Sequence, residues 1–173
     1  MNELPLSKAF QLIEPGPVVL VTTAHKKKAN VMAMSWHMVM DFTPQIGCII
    51  GPWDYSFSAL RTTKECVIAI PTVDMAGKVV DIGNCSGQDV DKFKAFKLTA
   101  LPAENVKAPL IAECLAHIEC RVVDESLADK YNRSSLRGSR PGSTLTGKSA
   151  GRSMRTATGP SRLMAGHSIS ARK

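Results

Sequence analysis

Short apolar runs separated by turn-forming residues dominate the first 132 positions of the chain. Four of these runs have the length and the β-branched content of strands, which are predicted over 18–23, 31–38, 46–50 and 66–70. The His25-Lys26-Lys27-Lys28 stretch is typical of a turn and joins the first two strands into a hairpin. A further strand, or bent pair of strands, is predicted over 112–124, where Cys114, Ala116, Ile118 and Cys120 alternate onto one face.

Short helices are predicted between these strands. An amphipathic segment, Leu6–Ile13, is stopped by Pro15-Gly16-Pro17, and further helices are expected over 57–63, 72–81 and 90–96. Residues 98–108, with Pro102 inside the segment and Pro109 directly after it, are expected to connect elements. The pattern favours a mainly β fold with short helices, an α+β barrel with mostly antiparallel strands. No Gly-x-Gly-x-x-Gly follows a strand, which argues against a Rossmann-type nicotinamide site.

Length and composition narrow the class of protein. A chain of 173 residues is long enough for one domain with a real core. No apolar run reaches the length of a membrane span, and the N-terminus lacks the pattern of a secretory signal. Five dispersed cysteines in such a chain indicate reduced thiols and a cytoplasmic protein. The four histidines do not cluster, so no metal site is predicted.

The net charge of +7 is concentrated at one end of the chain. Residues 133–173 hold nine Lys and Arg and no acidic residue, whereas residues 1–132 hold 13 Lys and Arg and 15 Asp and Glu. The same last segment has no aromatic residue and contains nine Ser, six Gly and four Thr. Its composition is typical of a disordered basic tail. A nucleic-acid-binding function would therefore depend on this tail alone.

The most informative stretch is 29–36, which ends a strand in a small hydroxyl and a large aromatic residue. Backbone amides, Ser35, methionines and Trp36 can together hold a flat, phosphate-bearing ligand. The alternative is an ordinary buried strand. Ser56, at a predicted helix start, would either face an anion or only cap the helix. The lysines at 26–28 would form a solvated turn or offer a charge to a phosphate.

Four ordered motifs resemble those of the flavin reductase-like, flavoredoxin-type family, whose members are FMN-binding split β-barrels. They are Pro-Gly-Pro-Val-Val-Leu-Val-Thr-Thr (15–23), Asn-Val-Met-Ala-Met-Ser-Trp-His (30–37), Ile-Gly-Cys-Ile-Ile-Gly-Pro (46–52) and Gly-Asn-Cys-Ser-Gly-Gln-Asp-Val-Asp-Lys-Phe (83–93). The resemblance runs from about Pro5 to Asn132.

The resemblance implies a set of cofactor-binding residues and a homodimer with flavin at its interface. Those expected along the flavin ring and ribityl chain are Asn30, Val31, Met32, Ala33, Met34, Ser35 and Trp36. Pro52, Tyr55 and Ser56 are expected on the phosphate side, and Asn84, Cys85 and Ser86 in a loop near the ring or the partner subunit. His37 is the candidate catalytic residue, with a purely structural imidazole as the alternative. Cys85 would be a redox thiol or a small loop residue.

The function implied is that of an FMN-binding oxidoreductase, with FAD as the alternative flavin and NAD(P)H as a diffusible donor. It would reduce flavin or relay electrons, and the flavin would carry the redox chemistry. A non-enzymatic flavin carrier is the second reading. A nucleic-acid binder is the third, and its tail has no aromatic residue for base stacking.

The resemblance ends abruptly after Asn132, where the family would continue into further strands. We therefore expect a domain over 1–132 and a tail over 133–173 that is disordered or read out of frame. Codons can be chosen so that the neighbouring frame encodes a Gly-Asp-Gly-Thr-Phe turn and strand-like alternation. If the frameshifted chain is the real product, a barrel lacking its last strands would expose an unpaired edge, and weak folding, aggregation or poor flavin retention is then expected.

Overall fold

A computed structural model describes residues 17–41, 43 and 45–138 of the chain. The predicted helix Leu6–Ile13 and residues 139–173 lie outside the described residues. The strands are β1 (Val19–His25), β2 (Lys28–Met34), β3 (His37–Asp41), β4 (Gln45–Ile49), β5 (Glu65–Ile70), β6 (Ala100–Leu101), β7 (Leu110–Ile111), β8 (Ala116–Asp124) and β9 (Arg133–Gly138). The helices are α1 (Ser56–Thr63), α2 (Ala76–Gly83), α3 (Lys92–Ala95) and α4 (Ala128–Tyr131), with a 3₁₀ turn at Val73–Met75.

One antiparallel sheet forms the body of the fold, so the prediction of a mainly β protein with short helices is confirmed. Its seven strands lie in the order β2-β1-β5-β8-β9-β4-β3, and β6 and β7 form a separate pair. The helices contain at most eight residues. Within the described part of the chain, none has the length and apolar character needed to cross a membrane.

The two edge strands of the large sheet are consecutive in the chain. A single strand was predicted over 31–38, but β2 ends at Met34 and β3 begins at His37. The interruption is a tight turn in which the His37 amide donates to the Ser35 carbonyl at 3.0 Å. Three Cα–Cα steps span at most about 11 Å, so the sheet must curl until its two edges nearly meet. We call this place the seam.

The curled sheet buries apolar side chains on both faces. Val19 and Val21 of β1 point into a core with Met34, Leu60, Ile68 and Leu136, whereas Leu20 points into a second core beneath α2. Strand β1 is therefore buried on both faces, as predicted. All five cysteines are free. Burial raises the pKa of the Cys48 and Cys114 thiols to about 12, which leaves them unreactive.

The residues directly before β8 do not follow the alternation of side chains that was predicted over 112–124. Strand β8 starts only at Ala116, and the Cys114 amide donates to the Ile111 carbonyl in a turn at 3.0 Å. Cys114 consequently packs in the core beneath α2, whereas Cys120 packs in the other core. The expectation that both lie on one face is wrong. Residues 98–108, expected only to connect elements, contain the short strand β6, which pairs with β7.

The sheet continues past the expected domain boundary at Asn132. Strand β9 lies between β8 and β4 and pairs with both. Asn132 itself adopts a left-handed conformation with φ of 54°, which ends α4 and turns the chain into the sheet. Ser134, Ser135, Leu136 and Gly138 are buried there. The sheet therefore includes the six residues of β9 that follow Asn132.

His117 of β8 should make the fold sensitive to mild acid. The side chain is buried, and Nε2 lies 3.1 Å from the Ile111 amide nitrogen and 2.9 Å from its carbonyl oxygen. Burial lowers the pKa of His117 below its ordinary value of 6.5. The unfolded chain then binds one more proton as the pH falls through 6.5, so stability is full above that pH and declines below it.

Urea unfolding between pH 5.5 and 7.5 measures this effect. The free energy of unfolding should fall with decreasing pH, with a limiting slope of about 1.4 kcal/mol per unit from this group. The variant His117→Gln should have a shallower slope. Equal slopes in the two proteins would contradict the prediction.

Candidate functional site

A cleft opens at the seam between the two edges of the sheet. It is lined by Met32, Ala33, Met34, Ser35, Trp36, Ile49, Trp53 and Asp54. Met34 is buried, whereas Trp36 and Trp53 are 46% and 69% exposed. The buried Met34 and the half-buried Met32 therefore form the floor of the cleft, and the two indoles form its rim. The volume of about 190 Å³ is below the roughly 300–1,000 Å³ of an enclosing ligand pocket, so this is an open groove.

A rigid turn over 51–54 presents the rim. The Gly51 amide donates to Asp54 Oδ2, and the Asp54 amide donates to the Gly51 carbonyl, both at 2.9 Å. A Cβ atom on Gly51 would lie 2.4 Å from Cζ2 of Trp53, so the indole packs directly against the glycine. The exposed tryptophan is thus held in place by its own turn.

A buried polar cluster lies where α1 begins. Asn30 Nδ2 donates to Ser56 Oγ at 2.9 Å, and Thr23 Oγ1 donates to the same oxygen at 3.3 Å. All three side chains are at most 6% exposed. Because Ser56 accepts both bonds, its own hydroxyl proton remains to be donated to a further acceptor. Lys28 lies two residues before Asn30 on β2, so both side chains are on the same face of the strand. Polar side chains therefore extend from this cluster towards the surface.

The glycine-containing loop after α2 packs against this polar cluster. Lys28 Nζ donates to the Tyr55 hydroxyl at 2.9 Å and to the Gly87 carbonyl at 3.1 Å. A Cβ atom on Gly87 would lie 2.0 Å from Asn30 Oδ1 and 2.8 Å from Tyr55 Cδ1. Only a residue without a side chain fits between them. The loop, the start of α1 and strand β2 therefore meet at one point.

The candidate residues thus divide between the two ends of β2. Met32, Ala33, Met34, Ser35 and Trp36 line the cleft, and Asn30, Tyr55 and Ser56 gather at the polar cluster. Asn84 and Ser86 are exposed in the loop that packs there, with Cys85 half-buried between them. From Asn30 to Ser35, one residue beyond the end of β2, the chain spans at most about 17 Å.

Three predicted residues lie at the margin of this arrangement. Pro52 is exposed in the turn that carries Trp53, and Val31 is fully buried beneath the strand. His37 begins β3 just beyond Trp36, and its Nε2 lies 2.8 Å from the Pro17 carbonyl oxygen. His37 is not among the residues that line the cleft.

Two residues of the cleft carry no local sequence signal. Ile49 and Trp53 join the cleft only because β4 and the following turn come beside the seam. Lys92 is buried, and its Nζ donates to the Ile82 carbonyl at 2.8 Å, an oxygen that Cys85 Sγ also approaches at 3.9 Å. Burial lowers the pKa of Lys92. Within the described residues, no three His, Cys, Asp or Glu side chains converge as metal ligands.

A curled antiparallel sheet with an apolar cleft and a polar cluster near it is an arrangement that can hold a small ligand. The chain belongs to the flavin reductase-like family, because the flavin reductase like domain matches residues 13–133. The resemblance inferred from the four motifs is therefore confirmed.

Similar proteins agree with this assignment. An uncharacterised protein of Archaeoglobus fulgidus is 38% identical over 100 residues, which cover 57% of this chain and 56% of that protein. This chain therefore matches little more than half of that relative's length. Among solved structures, an FMN-binding domain of a flavin reductase-like enzyme from Shewanella baltica has a TM-score of 0.67 at 23% identity, covering 79% of this chain and 73% of its own. The flavoredoxin of Desulfovibrio vulgaris has a TM-score of 0.65 at 23% identity, covering 73% and 71%.

Proposed function

We propose that the chain binds FMN along β2 and acts as an oxidoreductase that takes electrons from NAD(P)H. The observation that carries this proposal is the division of β2 into an apolar, aromatic end and a polar, cationic end. The span of about 17 Å between them suits an elongated mononucleotide with a ring at one end and a phosphate at the other. The residues present therefore fit a flavin.

The apolar end would hold the flavin ring. The Met32 and Met34 side chains, which share one face of β2, would contact the ring, Ala33 would contribute its backbone, and Ser35 would reach the polar edge of the ring. Trp36, which is partly exposed, would cover the ring from the rim. An apolar floor removes water from the ring and limits side reactions, while backbone amides orient it.

The polar end would hold the phosphate. Ser56 has a hydroxyl proton to donate, and Lys28 supplies a positive charge fixed by Tyr55 and Gly87. Lys28 forms no ion pair with a carboxylate of the described residues, so its charge is available to an anion. Bound flavin supplies the hydride and electron chemistry, which is why no nucleophile or acid–base pair is needed.

A second copy of the chain would complete the site. The cleft is an open groove, and the adjacent edge strand β3 exposes Met38, Val39 and Met40, with Val39 at 80%. Exposed apolar edge strands are prone to pair with another chain. We propose a homodimer in which the partner covers this strand and the open side of the cleft. His37, at the start of the same strand, would then lie close to the shared site.

Flavin retention tests the proposal directly. The purified full chain is mixed with FMN and desalted, and its visible absorption spectrum should retain flavin bands. Ser56→Ala should weaken FMN binding by about tenfold, since a hydrogen bond to a charged group contributes roughly 1.5 kcal/mol or more. Ser58→Ala, exposed on the same helix, is the matched control and should bind as the wild type does.

Steady-state oxidation of NADH and NADPH in the presence of FMN then separates the two flavin functions. Continued oxidation of NADH or NADPH would support a flavin reductase. Retained flavin without turnover would indicate a carrier, and no retained flavin in a folded protein would contradict the proposal. A nucleic-acid-binding function would show as salt-sensitive binding by the full chain.

A further inference from the structure

One side of the cleft is not used by the proposed flavin site. Ile49 ends β4, and Trp53 and Asp54 belong to the turn that follows, whereas the residues assigned to the flavin ring come from the end of β2 and from Trp36. We call the surface formed by Ile49, Trp53 and Asp54 the β4 wall. Since the flavin ring does not account for these side chains, they remain for a second molecule that enters the cleft.

Trp53 gives the β4 wall a large aromatic surface that is exposed and yet fixed. Its side chain is 69% exposed. Three atoms of its six-membered ring lie 2.4, 2.5 and 2.6 Å from the position of a Cβ atom on Gly51, so one side of the indole is held against the turn. An aromatic ring that is already ordered loses little conformational freedom when it binds a ligand. Trp53 therefore favours a flat ring that can stack on it.

Asp54 gives the same wall a negative charge. Among the described residues that line the cleft, it is the only charged one. Its Oδ2 accepts a hydrogen bond from the Gly51 amide, and no cationic side chain in the described part of the chain forms an ion pair with it. A carboxylate and an indole face both attract a cation. The wall is therefore complementary to a positively charged ligand and repels an anion.

We infer that the β4 wall binds a flat aromatic cation, with Trp53 stacking on its ring and Asp54 balancing its charge. This inference rests on the proposed function and names the class of second substrate that accepts the electrons. NAD(P)H would transfer one hydride, which is two electrons and one proton, through the bound flavin to the cation. The products would be NAD(P)⁺ and a neutral reduced ring. The neutral product is no longer attracted by the Asp54 carboxylate, which favours its release.

The test compares two flat tricyclic dyes of opposite charge on the full chain. Methylene blue is a cation, and resazurin is an anion at mildly alkaline pH. Their dissociation constants are measured by equilibrium dialysis in the dark, with and without saturating FMN. The wild type should bind methylene blue at least about fivefold more tightly than resazurin, because both components of the β4 wall attract a cation.

Two substitutions separate the charge of the wall from its aromatic surface. Asp54→Asn removes the charge and keeps a side-chain oxygen that can accept the Gly51 amide, so the turn should persist. It should raise the methylene blue constant about threefold or more and leave the resazurin constant equal or lower. Trp53→Leu should raise the methylene blue constant about fivefold, and Trp53→Phe should retain part of the affinity. FMN binding should not change measurably in these variants.

Asp74→Asn and Tyr131→Leu are the matched controls. Both side chains are exposed, and neither lines the cleft. Each substitution should leave the constants for both dyes unchanged. Added salt should reduce the preference of the wild type for methylene blue and have less effect on Asp54→Asn, because exposed charges are screened.

Reduction of the dye tests its role as the second substrate. The loss of methylene blue absorption is followed with NADPH and FMN, above the rate measured without protein. The Asp54→Asn variant should have a KM for the dye about threefold higher than the wild type has. A wild type that reduces bound FMN with NAD(P)H but does not reduce the dye would overturn this role.

The outcomes separate the inference from the function on which it rests. Failure of the wild type to retain FMN would overturn the proposed function, and dye binding by the flavin-free chain would still decide the inference. An unchanged methylene blue constant in Asp54→Asn or Trp53→Leu, or an equal loss for both dyes, would overturn the inference alone. Displacement of methylene blue by FMN would also overturn it, since the dye would then occupy the position of the flavin.

Discussion

Gly87→Ala should weaken FMN binding by about 100-fold or more while leaving the protein folded. The added methyl group would lie 2.0 Å from Asn30 Oδ1, 2.6 Å from Asn30 Cγ and 2.8 Å from Tyr55 Cδ1. Neither the loop nor the cluster can accommodate it without moving. Asn30 would leave Ser56, and the Gly87 carbonyl would leave Lys28, so the polar end of the site would lose its geometry.

The cost to stability should be moderate in comparison. Inserting one methyl group into a packed site usually costs about 1–3 kcal/mol. Flavin titration and urea unfolding of the same preparation measure the two effects. The substitution should weaken FMN binding because it displaces polar groups of the site. The measured loss of affinity should therefore be larger than the loss expected from the small fraction of unfolded protein.

Gly77→Ala is the control for this substitution. Gly77 lies in α2, and a Cβ atom there would have no neighbour within 4 Å. Alanine should stabilise the helix by about 0.5–1 kcal/mol and leave flavin affinity unchanged. If Gly87→Ala bound FMN as tightly as Gly77→Ala, the polar cluster would not be part of the cofactor site.

Leu136→Ala should destabilise the fold by about 2–5 kcal/mol, because it removes a fully buried side chain from the core. Leu136 lies in β9, beyond the boundary expected from the change in composition. A loss of this size is a large part of the roughly 5–15 kcal/mol that stabilises a typical domain. Urea or thermal unfolding of the full chain measures it.

Arg137→Ala is the neighbouring control. Its side chain is exposed on the same strand, so the substitution should change stability by no more than about 0.5 kcal/mol. Equal, small effects of both substitutions would mean that β9 is not an integral strand of the sheet. The hypothesis of a reading-frame shift is separate and stays a prediction. An intact coding frame, with stop codons in the neighbouring frame, would refute it.

Much of the fold follows from local pattern. The β1–β2 hairpin, β4, β5 and α1 were predicted within one or two residues at most ends, because each has continuous apolar character between clear turn signals. The same pattern made stretch 29–36 the centre of the predicted site. Five of its residues line the cleft. The local sequence was sufficient to predict this stretch, because residues near both the cleft and the polar cluster lie on the single short strand β2.

The interruption of this strand was not predictable in the same way. Residues 31–38 are continuously apolar or small except at Ser35 and His37, so local propensity allows one uninterrupted strand. In the folded chain, His37 pairs with Cys48 of β4, while Met34 pairs with Val19 of β1. One straight strand cannot satisfy partners on opposite edges of a curled sheet, so the chain turns at Ser35.

The sequence by itself thus determined the strand-rich class, the hairpin and the strand β2 that contributes to the cleft. Tertiary structure decided the seam, the contribution of Trp53 to the cleft, and the place of β9. Strand β9 reads as polar, yet Ser134, Ser135 and Leu136 are buried because β4 and β8 flank it. One of its neighbours, β4, is distant in sequence. Pairing between distant strands depends on closure of the whole sheet, and the local sequence pattern does not encode that closure.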